Sequence, residues 1–300
     1  MNNLAEKFIQ LVKEPAWVIK RKCVTLFPKI IPDKWFIQVK YYKCFGRKLD
    51  LKNPQTFNEK LQWLKIHDRN PLYTVLVDKY RVKQYVADKI GEEYVIPTLA
   101  VYQSVDEIDL DKLPEQFVLK CNHDSGSVVI CRDKSKFDWE IYKEKLRKAL
   151  NENYYYDSRE WPYKRIHSCI ISEKYLDNGD DLYDYKFFCF NGVVQYYKID
   201  YNREFNHGAT YFTRDGVELP YYELACPKNP NMKIAVSDNL QEMISLAETL
   251  SCGLPFVRVD FFDVNGILFF GEYTFFPTGG FGSFSDESFD YMMGNLMNIN

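Results

Sequence analysis

Two Asn-Gly dipeptides, Asn191-Gly192 and Asn265-Gly266, sit between runs of apolar and aromatic residues and constrain this chain more than any other feature. Such a pair tolerates the positive φ values of a tight hairpin turn, so each joins antiparallel strands. The first predicts strands over 185–190 and 193–199, the second over 256–263 and 267–275. Helical signals lie elsewhere. Thr56-Phe57-Asn58-Glu59, following Asn53-Pro54, spells a capping box, and Phe57, Leu61 and Leu64 continue it as one buried stripe. Further helices are expected over 72–89 (closed by Gly91), from Ser104, near 138–151 and near 238–252. Strands are expected over 94–102, 117–120, 128–131 and 169–175. The pattern predicts an α+β fold with mostly antiparallel strands.

Length and composition suit one large domain or two lobes around a cleft, with 46% apolar residues in 300. No apolar run approaches the ~20 residues of a membrane span. Lys7, Lys13 and Lys20 interrupt the N-terminal apolar stretches, which argues against a signal peptide. The eight cysteines contain no C-x-x-C pair, so neither a zinc site nor a disulfide framework is expected, and reduced thiols in the cytoplasm are. Charge is lopsided: residues 1–48 carry +8 and the remainder −11. The basic segment also holds Trp17, Phe27, Ile30, Trp35 and Phe36. It reads either as a membrane-surface or partner-docking element or as a helix pair packed on the body with a solvated basic face. It has no nucleic-acid recognition motif, and no nucleic-acid partner is expected.

The last hairpin carries the most chemistry. Arg258 and Asp260 alternate with Val257, Val259 and Phe261, and Glu272 and Thr274 share a face on the partner strand. A two-residue turn would pair Asp260 with Gly271 and send Asp260 and Glu272 to opposite faces. A three-residue turn at 264–266 with a bulge pairs Asp263 with Ile267 instead. It sets Arg258 opposite Glu272, with Asp260 diagonal to it at roughly 7 Å. Two carboxylates so placed suit one or two Mg²⁺ ions bridging nucleotide phosphates, although a salt-bridged solvated face would have the same letters. Lys120 leads into a small-residue loop, Asn122-His123-Asp124-Ser125-Gly126-Ser127, whose backbone N–H groups can approach phosphate oxygens. It is neither G-x-x-x-x-G-K-S/T nor G-x-G-x-x-G, which removes the P-loop and Rossmann readings. The stretch 171–176, followed by Asp177, Asp180, Asp181 and Asp184, reads as a hinge for an adenine edge with a carboxylate left for ribose.

Taken in order, these segments resemble the ATP-grasp superfamily, and within it the TupA-like branch linked to teichuronopeptide and cell-surface polysaccharide biosynthesis. The resemblance covers about 41–291. It rests on F-N-E-K-L-Q-W-L-K at 57–65, D-R-N-P-L-Y at 68–73, D-K-Y at 78–80 and F-V-L-K-C-N-H at 117–123. It continues in R-E-W-P-Y-K at 159–164, D-Y-K-F-F-C-F-N-G at 184–192, F-V-R-V-D at 256–260 and G-E-Y-T-F at 271–275. It implies two α+β lobes whose antiparallel sheets clamp a nucleotide. The expected blocks are a basic amphipathic segment over 1–54, a helical region over 55–115, a small lobe over 116–176 and a large lobe with the metal site over 177–300.

The resemblance also implies ATP and Mg²⁺ as cofactors. Lys79 and Lys120 would contact the phosphates beneath the 122–127 loop, with His123, Ser125, Gly126 and Ser127 in reach. Glu173 would meet the adenine amino group. Lys174, Tyr175 and Leu176 would form the hinge, Asp184 would hold the ribose and Lys186 would join the nucleotide site. Asp260, Glu272 and Thr274 would hold metal, and Arg258 would steady the transferred phosphoryl group. Three departures stand out. Asp124 replaces a small residue in N-H-G-S-G, Thr274 replaces the Asn of amide-forming relatives, and the Asp260–Glu272 spacing is one residue short.

The activity so implied is that of a carboxylate–amine ligase working through an acyl phosphate on a cell-surface glycan or its precursor, in the cytoplasm or at the inner membrane face. Arg159, Trp161 and Tyr163 are candidates for the acceptor, since aromatic faces stack on sugars and arginine forks onto a carboxylate. The alternatives are a glycan phosphotransferase, a nucleotide-sugar glycosyltransferase (Asp109-Leu110-Asp111 has the Asp-x-Asp letters) and a silent binding module.

Overall fold

The structure, a computed structural model, describes residues 16–179, 182–203 and 206–299, with side chains from residue 20 onward. Asp180, Asp181 and the side chain of Trp17 therefore lie outside the described residues. A helical hairpin opens the chain, α1 (Ala16–Leu26) and α2 (Asp33–Phe45). Gly46 stops α2 in the left-handed conformation at φ 68°. The capping box at Thr56 forms and starts α3 (Phe57–His67). The helix expected over 72–89 is two pieces, α4 (Leu72–Leu76) and α5 (Val82–Ile90). Between them Asp78 turns its carboxylate back to accept from the Tyr80 and Arg81 backbone N–H groups, at 3.0 and 3.2 Å.

The first sheet has the order β1-β4-β2-β3, from β1 (Thr98–Tyr102), β2 (Phe117–Cys121), β3 (Val129–Cys131) and β4 (Ile170–Lys174), with every pair antiparallel. Helix α6 (Trp139–Asn151) covers its apolar face, where Phe117, Leu119, Val129 and Ile170 pack with Leu146. A short helix, α7 (Tyr155–Ser158), follows. The second sheet has the order β7-β6-β5-β8-β9, again antiparallel. Its strands are β5 (Asp184–Phe190), β6 (Val193–Tyr201), β7 (Gly208–Thr213), β8 (Phe256–Val264) and β9 (Ile267–Thr274). Helix α8 (Leu240–Ser251) packs on one face through Met243, Ile244, Ala247 and Leu250, and α9 (Glu287–Leu296) lies against α3.

Residues 57–113 divide between the two cores. Phe57, Leu61, Tyr73, Val82 and Val86 join the core of the second sheet, while β1 and Val105, Ile108 and Leu113 belong to the first. Most of the chain from 98 to 174 builds on the first sheet, between α5 and β5, while Trp161, Tyr163 and Ile166 pack against the core of the second sheet.

Candidate active site

Alternation separates the two faces of the second sheet. Tyr185, Phe187, Val257, Val259 and Phe261 point into the core, and Asp184, Lys186, Arg258 and Asp260 point the other way. Lys186 lies directly across from Asp260, and its ammonium bonds Asp260 Oδ2 at 2.6 Å and also Asp184. Arg258 forks onto Asp260, with Nε to Oδ1 and Nη2 to Oδ2 both at 2.7 Å, and reaches Glu272 Oε1 at 2.9 Å.

Glu272 shares this face for a reason other than the expected one. Asn265 and Gly266 both adopt positive φ, 54° and 85°, and make a two-residue turn that pairs Val264 with Ile267 and Asp263 with Leu268. The three-residue turn is therefore incorrect, and Arg258 sits opposite Thr274 rather than Glu272. The irregularity lies in mid-strand. Phe261 pairs with Phe270 and Val259 with Tyr273, so Asp260 alone faces Gly271 and Glu272. That bulge returns Glu272 to the Asp260 face. Gly271 permits it, because a Cβ there would stand 3.2 Å from the Asp260 carbonyl oxygen.

The first sheet supplies the opposing charges. Lys120 on β2 and Lys83 on α5 bind the two oxygens of Glu173 on β4, at 2.5 and 2.6 Å. Glu173 is 3% exposed. Burial resists its ionisation, but Lys120 and Lys83 hold it below the usual carboxylate range. Each oxygen of this carboxylate thus carries one lysine. Lys79 donates its backbone N–H to the Asn122 carbonyl at 2.9 Å, and its ammonium to the Asp124 carbonyl. Charges from both lobes meet at Glu272. Burial pushes its carboxyl up, and Lys79, Arg258, Lys186 and Lys120 together pull it down to about 2.

The 122–127 loop is braced from within. Cys121 donates its N–H to Ser127 Oγ at 2.8 Å, and Ser127 donates in turn to Asp124 Oδ1 at 2.7 Å. The Asp124 carboxylate thereby serves the loop. Ser125 and Gly126 remain exposed at its crest. His123 is buried, with Nε2 2.9 Å from the Glu152 carbonyl and Nδ1 3.3 Å from Asn122 Oδ1. Asn122, Asp78 and Lys83 were not singled out as site residues. Asn122 bonds Asp78, the His167 carbonyl and the Cys169 N–H, pinning the loop's root to α5 and β4. Their signal was local: Asn122 and Asp78 stand inside the quoted motifs, and Lys83 lies four residues beyond Lys79.

At the hinge, Tyr175 accepts from Arg132 Nε at 3.0 Å, Lys174 is exposed and Leu176 is half-buried. Asp184 Oδ2 takes Lys186 and Arg203, while its Oδ1 is buried and accepts no hydrogen bond. An orphaned buried acceptor of this kind fits a ribose hydroxyl. Asp260, Glu272 and Thr274 offer hard oxygen donors, the set that suits Mg²⁺, and Thr274 Oγ1 already lies 3.2 Å from Glu272 Oε1.

The acceptor candidates separate. Arg159 is 1% exposed and its backbone is left-handed at φ 61°. Its guanidinium stands over the rings of Phe36, Tyr155 and Tyr156 at 4.3, 5.0 and 5.4 Å and donates to the Pro28 carbonyl. Trp161 is half-buried, stacked on Tyr73 at 5.9 Å and with the Arg69 guanidinium 5.2 Å from its ring. Tyr163 is half-buried, its ring 5.0 Å from that of Tyr154. Burial raises its phenol well above the ordinary value, and Glu160 and Glu272 raise it further. Asp109, in the Asp-x-Asp letters, caps a surface turn by accepting from the Asp111 N–H at 3.1 Å.

The family model described as TupA-like ATPgrasp matches residues 59–298. The chain belongs to the TupA-like ATP-grasp family. Its fold is the ATP-grasp fold, α+β with two antiparallel sheets. Among solved structures, this TupA-like chain is similar to the D-alanine–D-alanine ligase of Bacillus anthracis complexed with ATP, at 20% identity over 67% of this chain and 53% of that one, TM-score 0.37. It is similar to the Helicobacter pylori D-alanine–D-alanine ligase at 13% identity, over 82% and 70%, TM-score 0.43. It is also similar to an L-amino acid ligase of Bacillus licheniformis at 11% identity, over 90% and 57%, TM-score 0.38. The chain spans little more than half the length of the B. anthracis ligase. No curated protein matches it. Among the described residues no helix is long and apolar enough to cross a membrane.

Proposed function

We propose that this TupA-like chain is an ATP-dependent carboxylate–amine ligase that modifies a cell-surface polysaccharide or its precursor through an acyl phosphate. The reading rests on the network in which Lys186 and Arg258 bond Asp260 and Arg258 reaches Glu272, with Lys79 bonded to Asn122 at the root of the 122–127 loop and the charge of Lys120, from the first sheet, also acting on Glu272. Lys79, Lys120 and Arg258 offset the charge of a γ-phosphate as a substrate carboxylate attacks it in line. Asp260, Glu272 and Thr274 would hold Mg²⁺, which supplies Lewis-acid stabilisation of the phosphoryl oxygens. Asp184 receives the ribose, and Lys186 keeps Asp260 oriented beside it. The 122–127 loop excludes water from the acyl phosphate, and an amine displaces phosphate to leave an amide. Tyr163 lies on the acceptor side. A uronic acid or amino acid on a glycan fits this chemistry, met at the inner face of the cytoplasmic membrane through peripheral contact of residues 1–48.

Trapping with hydroxylamine tests the reaction class. With Mg·ATP and candidate uronic or amino acids, a ligase yields a hydroxamate and ADP in equal amounts. Phosphate left on an acceptor hydroxyl, with no hydroxamate, would replace the ligase with the phosphotransferase.

A further inference from the structure

The α1–α2 hairpin ends in an apex whose large apolar side chains stand exposed among the described residues. Leu26 is 63% exposed, Phe27 50%, Ile30 80% and Trp35 42%. These are large apolar groups at consecutive turns of a rigid tip, held by the Phe27 N–H on the Cys23 carbonyl at 2.9 Å and the Ile30 N–H on the Phe27 carbonyl at 3.2 Å. Behind the apex the surface is cationic. Arg21, Lys29 and Lys34 are exposed, and residues 16–49 contain nine basic residues and a single acid, Asp33. That acid is turned inward, accepting from the Tyr155 hydroxyl and lying 3.4 Å from Arg159 Nε.

We infer that this apex is a docking surface for an anionic lipid bilayer, with Leu26, Phe27 and Ile30 below the headgroups and the cations among them. It gives the peripheral contact proposed above a definite surface and rests on that reading for a membrane-linked acceptor. The arrangement of groups selects the occupant. A bilayer takes apolar side chains and cations at successive depths. A nucleic acid would use the cations and leave Leu26 and Ile30 in water. A second copy of the chain would set one cationic ring against another.

Docking there also orients the site. The tip grips the loop that carries the acceptor-side residues: Arg159 donates to the Pro28 carbonyl, Lys29 stands 5.5 Å over the Tyr156 ring, and Lys40 donates to the Asp157 carbonyl at 2.6 Å. The same stretch continues to Tyr163, whose side chain packs against the core of the second sheet. The bilayer would thus lie against the acceptor side of the site.

Flotation of the full chain with phosphatidylglycerol-containing vesicles and with pure phosphatidylcholine vesicles tests the inference. The wild type is expected to float with the anionic vesicles and to be released by salt. Phe27→Glu with Ile30→Glu should lower binding by about tenfold or more, and Lys29→Ala with Lys34→Ala should lower it without touching an apolar group. All four positions are exposed, and unchanged circular dichroism will report an intact fold. Glu272→Gln, a substitution in the proposed metal site, should bind vesicles as the wild type does, so failure of the nucleotide reading and failure of this one are separable. Binding that is equal on both lipids, absent from both, or unaffected by the tip variants overturns the inference. So does a dimer that the Glu variants dissolve in the absence of lipid.

Discussion

Lys65 shows how much of this site is held by groups that touch no substrate. It is 1% exposed, and its ammonium donates to the Ser158 carbonyl at 2.7 Å and the Gly279 carbonyl at 2.5 Å, beside the rings of Phe276 and Phe281. It therefore ties the loop after β9 to the stretch carrying Glu160. Burial pushes Lys65 down to about 7, with Glu160 opposing. In the unfolded chain the group titrates near 10.4, so between about pH 7 and pH 10 the unfolded state binds the extra proton. Stability should accordingly rise with pH across that window, and urea midpoints of wild type against Lys65→Met should diverge there. A pH-independent difference between the two would contradict a depressed Lys65. At this scale the sequence revealed residue types better than it revealed partners. The shared face of Arg258 and Asp260 was legible from strand alternation. Arg159 was not, because its aromatic cage includes Phe36, 123 positions away in a different helix.

The elements were legible wherever a local signal fixed them. Both Asn-Gly turns formed as two-residue hairpins, and the capping box at Thr56 opened α3. That helix positions the site indirectly, since Gln62 and Lys65 on it bond the carbonyls of Gly279 and Gly280. Thr56→Ala removes the bond accepted from the Glu59 N–H and should cost about 1 kcal/mol in chemical denaturation. Less legible was whatever depended on a distant partner. The break between α4 and α5 is set by Asp78, which is itself held by Asn122 of the other lobe. The bulge at Gly271 is likewise a property of two strands and not of one. Spacing alone pointed to an irregularity in this hairpin and put it in the turn, whereas the left-handed preference of Asn265-Gly266 fixes the turn and moves the extra residue to the carboxylates.

At the scale of the whole molecule, the fold places two polar sheet faces so that their charges interact. The order β1-β4-β2-β3 interleaves strands more than 50 residues apart, which no local pattern encodes, and the family resemblance supplied what periodicity could not. Buried ion pairs such as Lys186–Asp260 and Glu173–Lys120 are a poor source of net stability, because desolvation offsets most of their attraction. Their concentration on these two facing surfaces is understandable if a charged ligand belongs between them. The direct test is thermal stabilisation by a non-hydrolysable ATP analogue, with and without Mg²⁺, for the wild type and for Glu272→Gln. A ligand at a hundredfold excess over Kd adds about 2.7 kcal/mol to the folded state. The account predicts a Mg²⁺-dependent rise in Tm for the wild type and loss of the metal-dependent part in Glu272→Gln. No shift with Mg·nucleotide, or the same shift in both proteins, would contradict it.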